Sequence, residues 1–114
     1  MQILNLTPHA VSVVDENGKV LLSIPSTGVA RASQTDEVVG SLEADGQTIT
    51  VVETVYGEAI DLPEPAEGVC IVVSFITANA ARAQGRATHD LLLTSGLVRD
   101  AEGRIIGCTR FARV

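Results

Sequence analysis

Arginine is concentrated in the last third of the chain, and this makes that region the first place to look for anion chemistry. Residues 82–114 contain six arginines, no lysine and three acidic residues, a net charge of +3. Residues 1–81 carry two basic and eleven acidic residues, a net charge of −9. The planar guanidinium group fits phosphate or carboxylate oxygens. The pattern favours a small anionic ligand, although any single arginine could equally be a solvated surface group.

The motif Gly85-Arg86-x-x-His89-Asp90 brings a cation, an imidazole and a carboxylate together. Asp90 could orient Arg86 or His89, and Arg86 could then meet a phosphate. A His-Asp pair also permits general acid–base catalysis, but no residue of the sequence stands out as the nucleophile. An Asp beside a His more often marks a helix start, where the dipole favours a carboxylate. A small phosphodiesterase using His89 and Asp90 is therefore the least favoured hypothesis.

A second motif, Arg99-Asp100-x-x-Gly103-Arg104, places two arginines on either side of a tight turn. Arg99 and Arg104 could point the same way and clamp an anion. The alternative is that Asp100 pairs with one of them to hold the turn, an exposed interaction of little energetic value.

These motifs follow the strongest strand-to-helix signal in the chain. Val69 to Val73 is an unbroken apolar, β-branched run, typical of a strand with both faces buried. The hydroxyl of Ser74 can cap a helix start, the stretch from 75 to 84 is rich in alanine, and Gly85 supplies a stop. The sequence predicts a central strand that runs directly into a helix.

The start of this helix is a candidate ligand site. Free amides and the helix dipole favour an anion there. Phe75 and Asn79 lie four residues apart on one helix face, so Phe75 could stack on a base while Asn79 reads its edge. The alternative for Phe75 is a position in the core. Asn5, Thr7 and His9 alternate along a predicted strand and could also line a pocket.

The remaining sequence predicts strands joined by tight turns at Asp15–Gly18, Glu43–Gly46 and Asp100–Gly103. Thr88 is expected to cap a second short helix over 89–94. The predicted fold is α+β: a mostly antiparallel, meander-like sheet over residues 2–74, one or two short helices within 74–95, and a C-terminal strand hairpin. Residues 1–114 are expected to form a single domain. Uncovered sheet edges favour a homo-oligomer.

Composition excludes several classes of function. A net charge of −6 argues against DNA or RNA binding. No apolar run suggests a membrane span or a signal peptide, so we expect a cytoplasmic protein without a membrane partner. Cys70 and Cys108 are interpreted as core residues, and no zinc spacing or phosphate-binding glycine motif occurs. No metal or cofactor is expected.

Several short motifs occur together along the chain. They are Leu4-Asn5-Leu6-Thr7-Pro8-His9, Gly28-Val29-Ala30-Arg31, Tyr56-Gly57-Glu58, Leu62-Pro63, Ile71-Val72-Val73-Ser74, Leu97-Val98-Arg99-Asp100 and Gly103-Arg104-Ile105-Ile106-Gly107-Cys108. This set resembles a family of small phage and prophage proteins that begin with an Asn-Leu-Thr-Pro-His strand, and the resemblance covers nearly the whole chain. Members of this family look similar to the Thoeris anti-defence sponges, which sequester a cyclic ADP-ribose signal made by TIR-domain enzymes.

The resemblance implies binding without turnover, in the cytoplasm of a bacterial host, by an oligomer that holds its ligand near the protomer interface. An aromatic residue would stack on adenine and arginines would hold the pyrophosphate. The residues of matching type are Phe75, Arg86, Arg99 and Arg104, with Asn79 and Asp90 reading or orienting polar groups. The competing hypothesis from a different class is a phage structural or protein-interaction module.

Overall fold

The computed structural model describes all 114 residues as eight strands and one helix. The α+β class, the single clear helix and the C-terminal hairpin are confirmed. The elements are β1 (Gln2–Asn5), β2 (Val11–Val14), β3 (Val20–Ile24), β4 (Gln34–Ala44), β5 (Gln47–Tyr56), β6 (Val69–Val72), α1 (Phe75–Ala83), β7 (Leu91–Arg99) and β8 (Ile105–Ala112).

Six strands form one sheet in the order β1-β6-β7-β8-β2-β3. β7 with β8 and β2 with β3 are antiparallel, as their tight turns predict. β6, however, is parallel to both of its neighbours, and β2 is parallel to β8. The sheet is therefore mixed and is not a simple meander. Its two edges meet at one end, where Asn5 bridges Ser26 and the amide of Thr27 donates to the carbonyl of Asn5 at 3.0 Å.

The helix packs on the sheet through its small residues. Ser74 caps it, because its Oγ accepts from the amide of Thr77 at 3.2 Å, and Gly85 ends it with a φ of 87°. Alanines allow a close approach to the sheet. The resulting core consists of Leu6, Ala30, Ile71, Val73, Ala78, Ala81 and Leu91.

No helix in the structure is long and apolar enough to span a membrane.

The second helix predicted over 89–94 is wrong, since β7 begins at Leu91. The amide of Leu91 donates to the carbonyl of Thr88, which makes a turn and not a helix start. Leu91 and Leu92 then pair in parallel with Ile71 and Val72 of β6. The long-range pairing with a buried strand outweighs the weak local helix signal.

β4 and β5 form a separate two-stranded sheet that we call the arm, residues 34–56. Both strands and the turn at Glu43–Gly46 are confirmed, and a bulge lies between Val38 and Gly40. Every residue of β4 is exposed. The radius of gyration of 17.5 Å exceeds the roughly 13 Å expected for a compact chain of this length. The arm therefore projects from the body.

Gly107 lies on β8 against β2, where there is no room for a side chain. A Cβ at this position would lie 2.8 Å from the carbonyl oxygen of Ser12 and 2.7 Å from Val14 Cγ1. We expect Gly107→Ala to lower the free energy of unfolding by about 1–3 kcal/mol, measured by urea denaturation. Gly40→Ala is the control, because no atom lies within 4 Å of a Cβ there. Equal midpoints for the two variants would contradict the prediction.

Candidate functional site

A groove of about 450 Å³ opens beyond the carboxyl ends of β1 and β6, beside the start of α1. Thr7 and His9 of the β1–β2 connection line one wall, and Ser74 and Phe75 line another. Apart from Phe75, the apolar part of the lining comes from Ala10, Val11, Val73, Leu93, Leu97 and Ile105. Its position follows from the parallel pairing of β1 with β6, which brings the connection after β1 next to the helix after β6. We call this cavity the groove.

Asn5 fixes the wall formed by the β1–β2 connection. Its side chain is fully buried, and its Nδ2 donates to the carbonyls of His9 at 2.8 Å and Ile24 at 3.0 Å. Its Oδ1 accepts from the amide of Thr7 at 3.0 Å and lies 2.6 Å from the Thr7 hydroxyl. The prediction that Asn5, Thr7 and His9 line one pocket together is therefore wrong for Asn5. Asn5 lies beneath the connection, while Thr7 and His9 line the groove.

Phe75 is the first residue of α1 and stands on the rim of the groove with 61% of its surface exposed. The core position considered for this residue is not observed. Its ring is available to an aromatic ligand beside the positive end of the helix dipole.

The side chain of Asn79 makes its hydrogen bonds within the helix. It is buried, its Nδ2 donates to the carbonyl of Phe75 at 2.9 Å, and its Oδ1 accepts from Arg82 Nη2 at 2.8 Å. Its polar atoms are used within the helix, and it does not line the groove.

Arg86 and Asp90 form a buried bidentate ion pair, with both Nη···Oδ distances at 2.9 Å. Only 7% and 3% of the two side chains are exposed. Arg86 also donates to the carbonyls of Ala87 and Pro63, so the pair ties the acidic 61–68 connection to the end of the helix. Its Nε is buried without a partner. Asp90 orients Arg86 as expected, but nearly all donors of Arg86 are occupied within the protein.

The electrostatics of this pair fix its protonation state. Burial by itself raises the pKa of Asp90, but the hydrogen bonds and positive charge of Arg86 outweigh burial and hold that pKa below its usual value. No hydrogen bond joins Asp90 to His89, which is exposed. The carboxylate is therefore committed to Arg86 and does not orient the imidazole.

Arg99 and Arg104 lie at the β7–β8 turn. Arg99 Nη1 donates to the carbonyl of Gly103 at 2.8 Å, while Arg104 pairs with Asp100 at 3.0 Å and with Glu102 at 2.6 Å. Hydrogen bonds from the Arg104 backbone, with smaller contributions from Glu102 and the Arg104 side chain, keep the pKa of Asp100 below its ordinary value. The turn-holding pair is present, and neither arginine lines the groove. Ile105, the next residue, does.

The structure therefore divides the six predicted site residues among four places. Phe75 lines the groove, Asn79 lies inside the helix and Arg86 with Asp90 anchors a connection. Arg99 and Arg104 brace the β7–β8 turn. The polar alternation along the predicted first strand pointed to Thr7 and His9, which lie just after the end of β1. The apolar lining residues Leu97 and Ile105 carried no local signal, because their positions depend on strand pairing.

No group of three His, Cys, Asp or Glu side chains is arranged to hold a metal ion. Both cysteines are free, with Cys108 buried and Cys70 partly buried.

No protein-family model matches the chain. Neither the curated protein sequences nor the solved structures give a significant match.

Proposed function

We propose that this protein binds a small anionic nucleotide in the groove and holds it without turnover, acting as a phage anti-defence sponge for a signal of the cyclic ADP-ribose type. The observation that carries the proposal is the exposed ring of Phe75 on the rim of the groove, beside the helix start. An aromatic ring beside the positive end of a helix dipole matches a base joined to a phosphate.

The size and lining of the groove support a small-molecule ligand. Its volume of about 450 Å³ falls within the roughly 300–1,000 Å³ of typical ligand sites. The lining is mostly apolar, and its polar members are Thr7, His9, Ser74 and Thr94. A few polar groups on an apolar floor are the usual way to fix the orientation of a bound ligand.

Binding without chemistry is favoured by the state of the candidate catalytic pair. Both carboxylate oxygens of Asp90 are bound by Arg86, so Asp90 does not hold His89 as a general base would require. His89 also lies outside the groove lining. A phosphodiesterase that used His89 and Asp90 would need a hydrogen bond between them and a place beside the ligand. Neither condition is met in the structure.

The test is thermal unfolding with a panel of cyclic ADP-ribose isomers and cyclic oligonucleotides. A ligand at 100 times its Kd adds about 2.7 kcal/mol, which raises Tm by on the order of ten degrees in a domain of this size. Ligand released by heat is then examined by chromatography. Intact ligand supports the sponge, altered ligand shows an enzyme, and no shift across the panel contradicts the proposal.

Phe75→Ala is expected to weaken binding of any ligand found in this way. Loss of a base-stacking ring costs about 1–3 kcal/mol, or roughly 5- to 150-fold in Kd, measured by calorimetric titration. Leu21→Ala is the matched control, since Leu21 is 62% exposed on β3 and lies outside the groove. Equal affinity of the Phe75→Ala variant and the wild type would place the ligand elsewhere.

The arm supports a second candidate function, a structural or protein-interaction module. It projects from the body with apolar side chains exposed along both strands, and exposed apolar patches mark interaction surfaces. This function would be favoured if the nucleotide panel produced no shift while the protein formed a defined complex with another phage protein.

A further inference from the structure

The outer half of the arm has an apolar face that nothing in the chain covers. Leu42 pairs with Ile49, and Gly40 pairs with Val51, so their side-chain positions lie on one face. Leu42 is 56% exposed and Ile49 is 47% exposed. The opposite face carries Glu43, Thr48, Ser41 and Thr50. The outer arm is therefore amphipathic, with its apolar side in water.

A hairpin of this kind needs a covering surface. An isolated two-stranded sheet is at best marginally stable in water, and stability normally requires a third strand or packing of one face. In the monomer the arm is anchored only at its base, where the amide of Gly57 donates to the carbonyl of Ser33 and Arg31 bridges Ile60. The apolar face of the outer arm is the part that lacks a partner.

We propose that a second copy of this chain covers this face, with the arm of each protomer lying on the body of the other. Charge determines the arrangement. The arm carries five carboxylates and no basic residue, so packing one arm on another would gather ten negative charges. The C-terminal third has a net charge of +3, and an acidic arm is attracted to it.

The β7–β8 surface of the partner has the required chemistry. Leu97 and Ile105, which also form one side of the groove, are about half exposed. Arg110 pairs with Ser95 across the strands, on the same face as Leu97, and makes no ion pair with a carboxylate. This surface offers apolar contact for Leu42 and Ile49 and an unpaired cation for the acidic arm.

The area also favours reciprocal exchange. A stable interface needs contact along the whole arm and not only along its apolar outer half. Eleven residues span about 36 Å and two strands are about 10 Å wide, so the full face of the arm covers roughly 360 Å². Two arms docked on two bodies bury about 1,400 Å², which reaches the roughly 1,200–2,000 Å² of stable interfaces. Two arms stacked on each other would bury only about 700 Å².

Sedimentation velocity of the ligand-free protein tests the proposal, and the absence of ligand keeps the result independent of the proposed function. We expect a dimer for the wild type and a monomer for Leu42→Asp/Ile49→Asp. The control Thr48→Asp/Thr50→Asp adds the same charge on the opposite face of the arm and is expected to stay dimeric. A monomeric wild type at every concentration tested would overturn the proposal, as would dissociation of both double variants.

The placement of the arm on the body is tested separately, with a variant whose change lies outside the arm. Arg110→Glu is expected to weaken the dimer, and raising the salt concentration is expected to increase its Kd on the order of tenfold. A dimer that tightens with salt and tolerates Arg110→Glu would show arm-on-arm packing and overturn the proposed arrangement.

Discussion

Replacing Asp90 by asparagine is expected to cause a large loss of stability. The change leaves the guanidinium of Arg86 buried, with 7% of its side chain exposed, and without a counter-charge. Breaking a buried ion pair by removing one partner typically costs about 3–5 kcal/mol. In a domain of this size that lowers Tm by at least about 10 °C, measured by calorimetry at neutral pH.

The exposed pair at the β7–β8 turn provides the control. Asp100→Asn removes the charge opposite Arg104, whose side chain is 73% exposed, and keeps an oxygen that can accept the turn amides. The expected loss is much smaller than for Asp90→Asn, because an exposed ion pair contributes little to stability. If Asp90→Asn were as mild as Asp100→Asn, the Arg86–Asp90 pair would not anchor the connection.

The Asp90 pair also predicts a dependence on pH. Because the pKa of Asp90 is lower in the folded than in the unfolded state, the pair stabilises the fold above the unfolded pKa of about 3.9. This contribution is lost as the pH falls through the folded pKa. The stability difference between wild type and Asp90→Asn is therefore expected to stay constant above about pH 6 and to shrink below about pH 4. A difference that grew on acidification would contradict the assigned pKa direction.

Asn5→Ala is expected to have the second largest effect. The substitution removes both hydrogen bonds that Nδ2 donates to the carbonyls of His9 and Ile24, and the acceptor for the Thr7 amide. Leaving several buried backbone groups unpaired costs about 2–4 kcal/mol in total. It also frees the wall of the groove, so ligand affinity is expected to fall together with stability.

Asn17→Ala is the matched control for this substitution. Asn17 is exposed in the β2–β3 turn, and only its backbone amide makes a hydrogen bond, to Asp15. We expect its free energy of unfolding to change by no more than about 0.5 kcal/mol. Both variants are measured by urea denaturation. Loss of stability in Asn5→Ala without loss of affinity for a bound ligand would show that the connection does not form part of the site.

Local features of the fold could be predicted from the sequence because each depends on neighbouring residues. The turns at Asp15–Gly18 and Asp100–Gly103 need only residues that accept turn conformations, and both join antiparallel strands as expected. The cap at Ser74 and the end at Gly85 depend on one hydroxyl and one positive φ. The apolar run from Val69 predicted a buried central strand, and β6 is one.

The residues of the candidate site were harder to predict because their roles depend on partners far along the chain. The spacing of Arg86 and Asp90 in the sequence showed that the two side chains could interact. Only the fold shows that both are buried beside Pro63. The sequence allowed two positions for Phe75, in the core or in a ligand site. In the structure the helix start lies against the β1–β2 connection, and Phe75 therefore stands on the rim of the groove.

The amino-acid sequence by itself determined the helix that follows Ser74, the tight turns and the separation of acidic and basic charge, since these follow from residue type and local spacing. The tertiary structure alone decided which strands lie side by side, where the groove opens and that the arm stands apart from the body. The physical reason is that parallel pairing and burial are set by contacts between distant segments. Their free energy outweighs local preference, as the replacement of the helix predicted over 89–94 by β7 demonstrates.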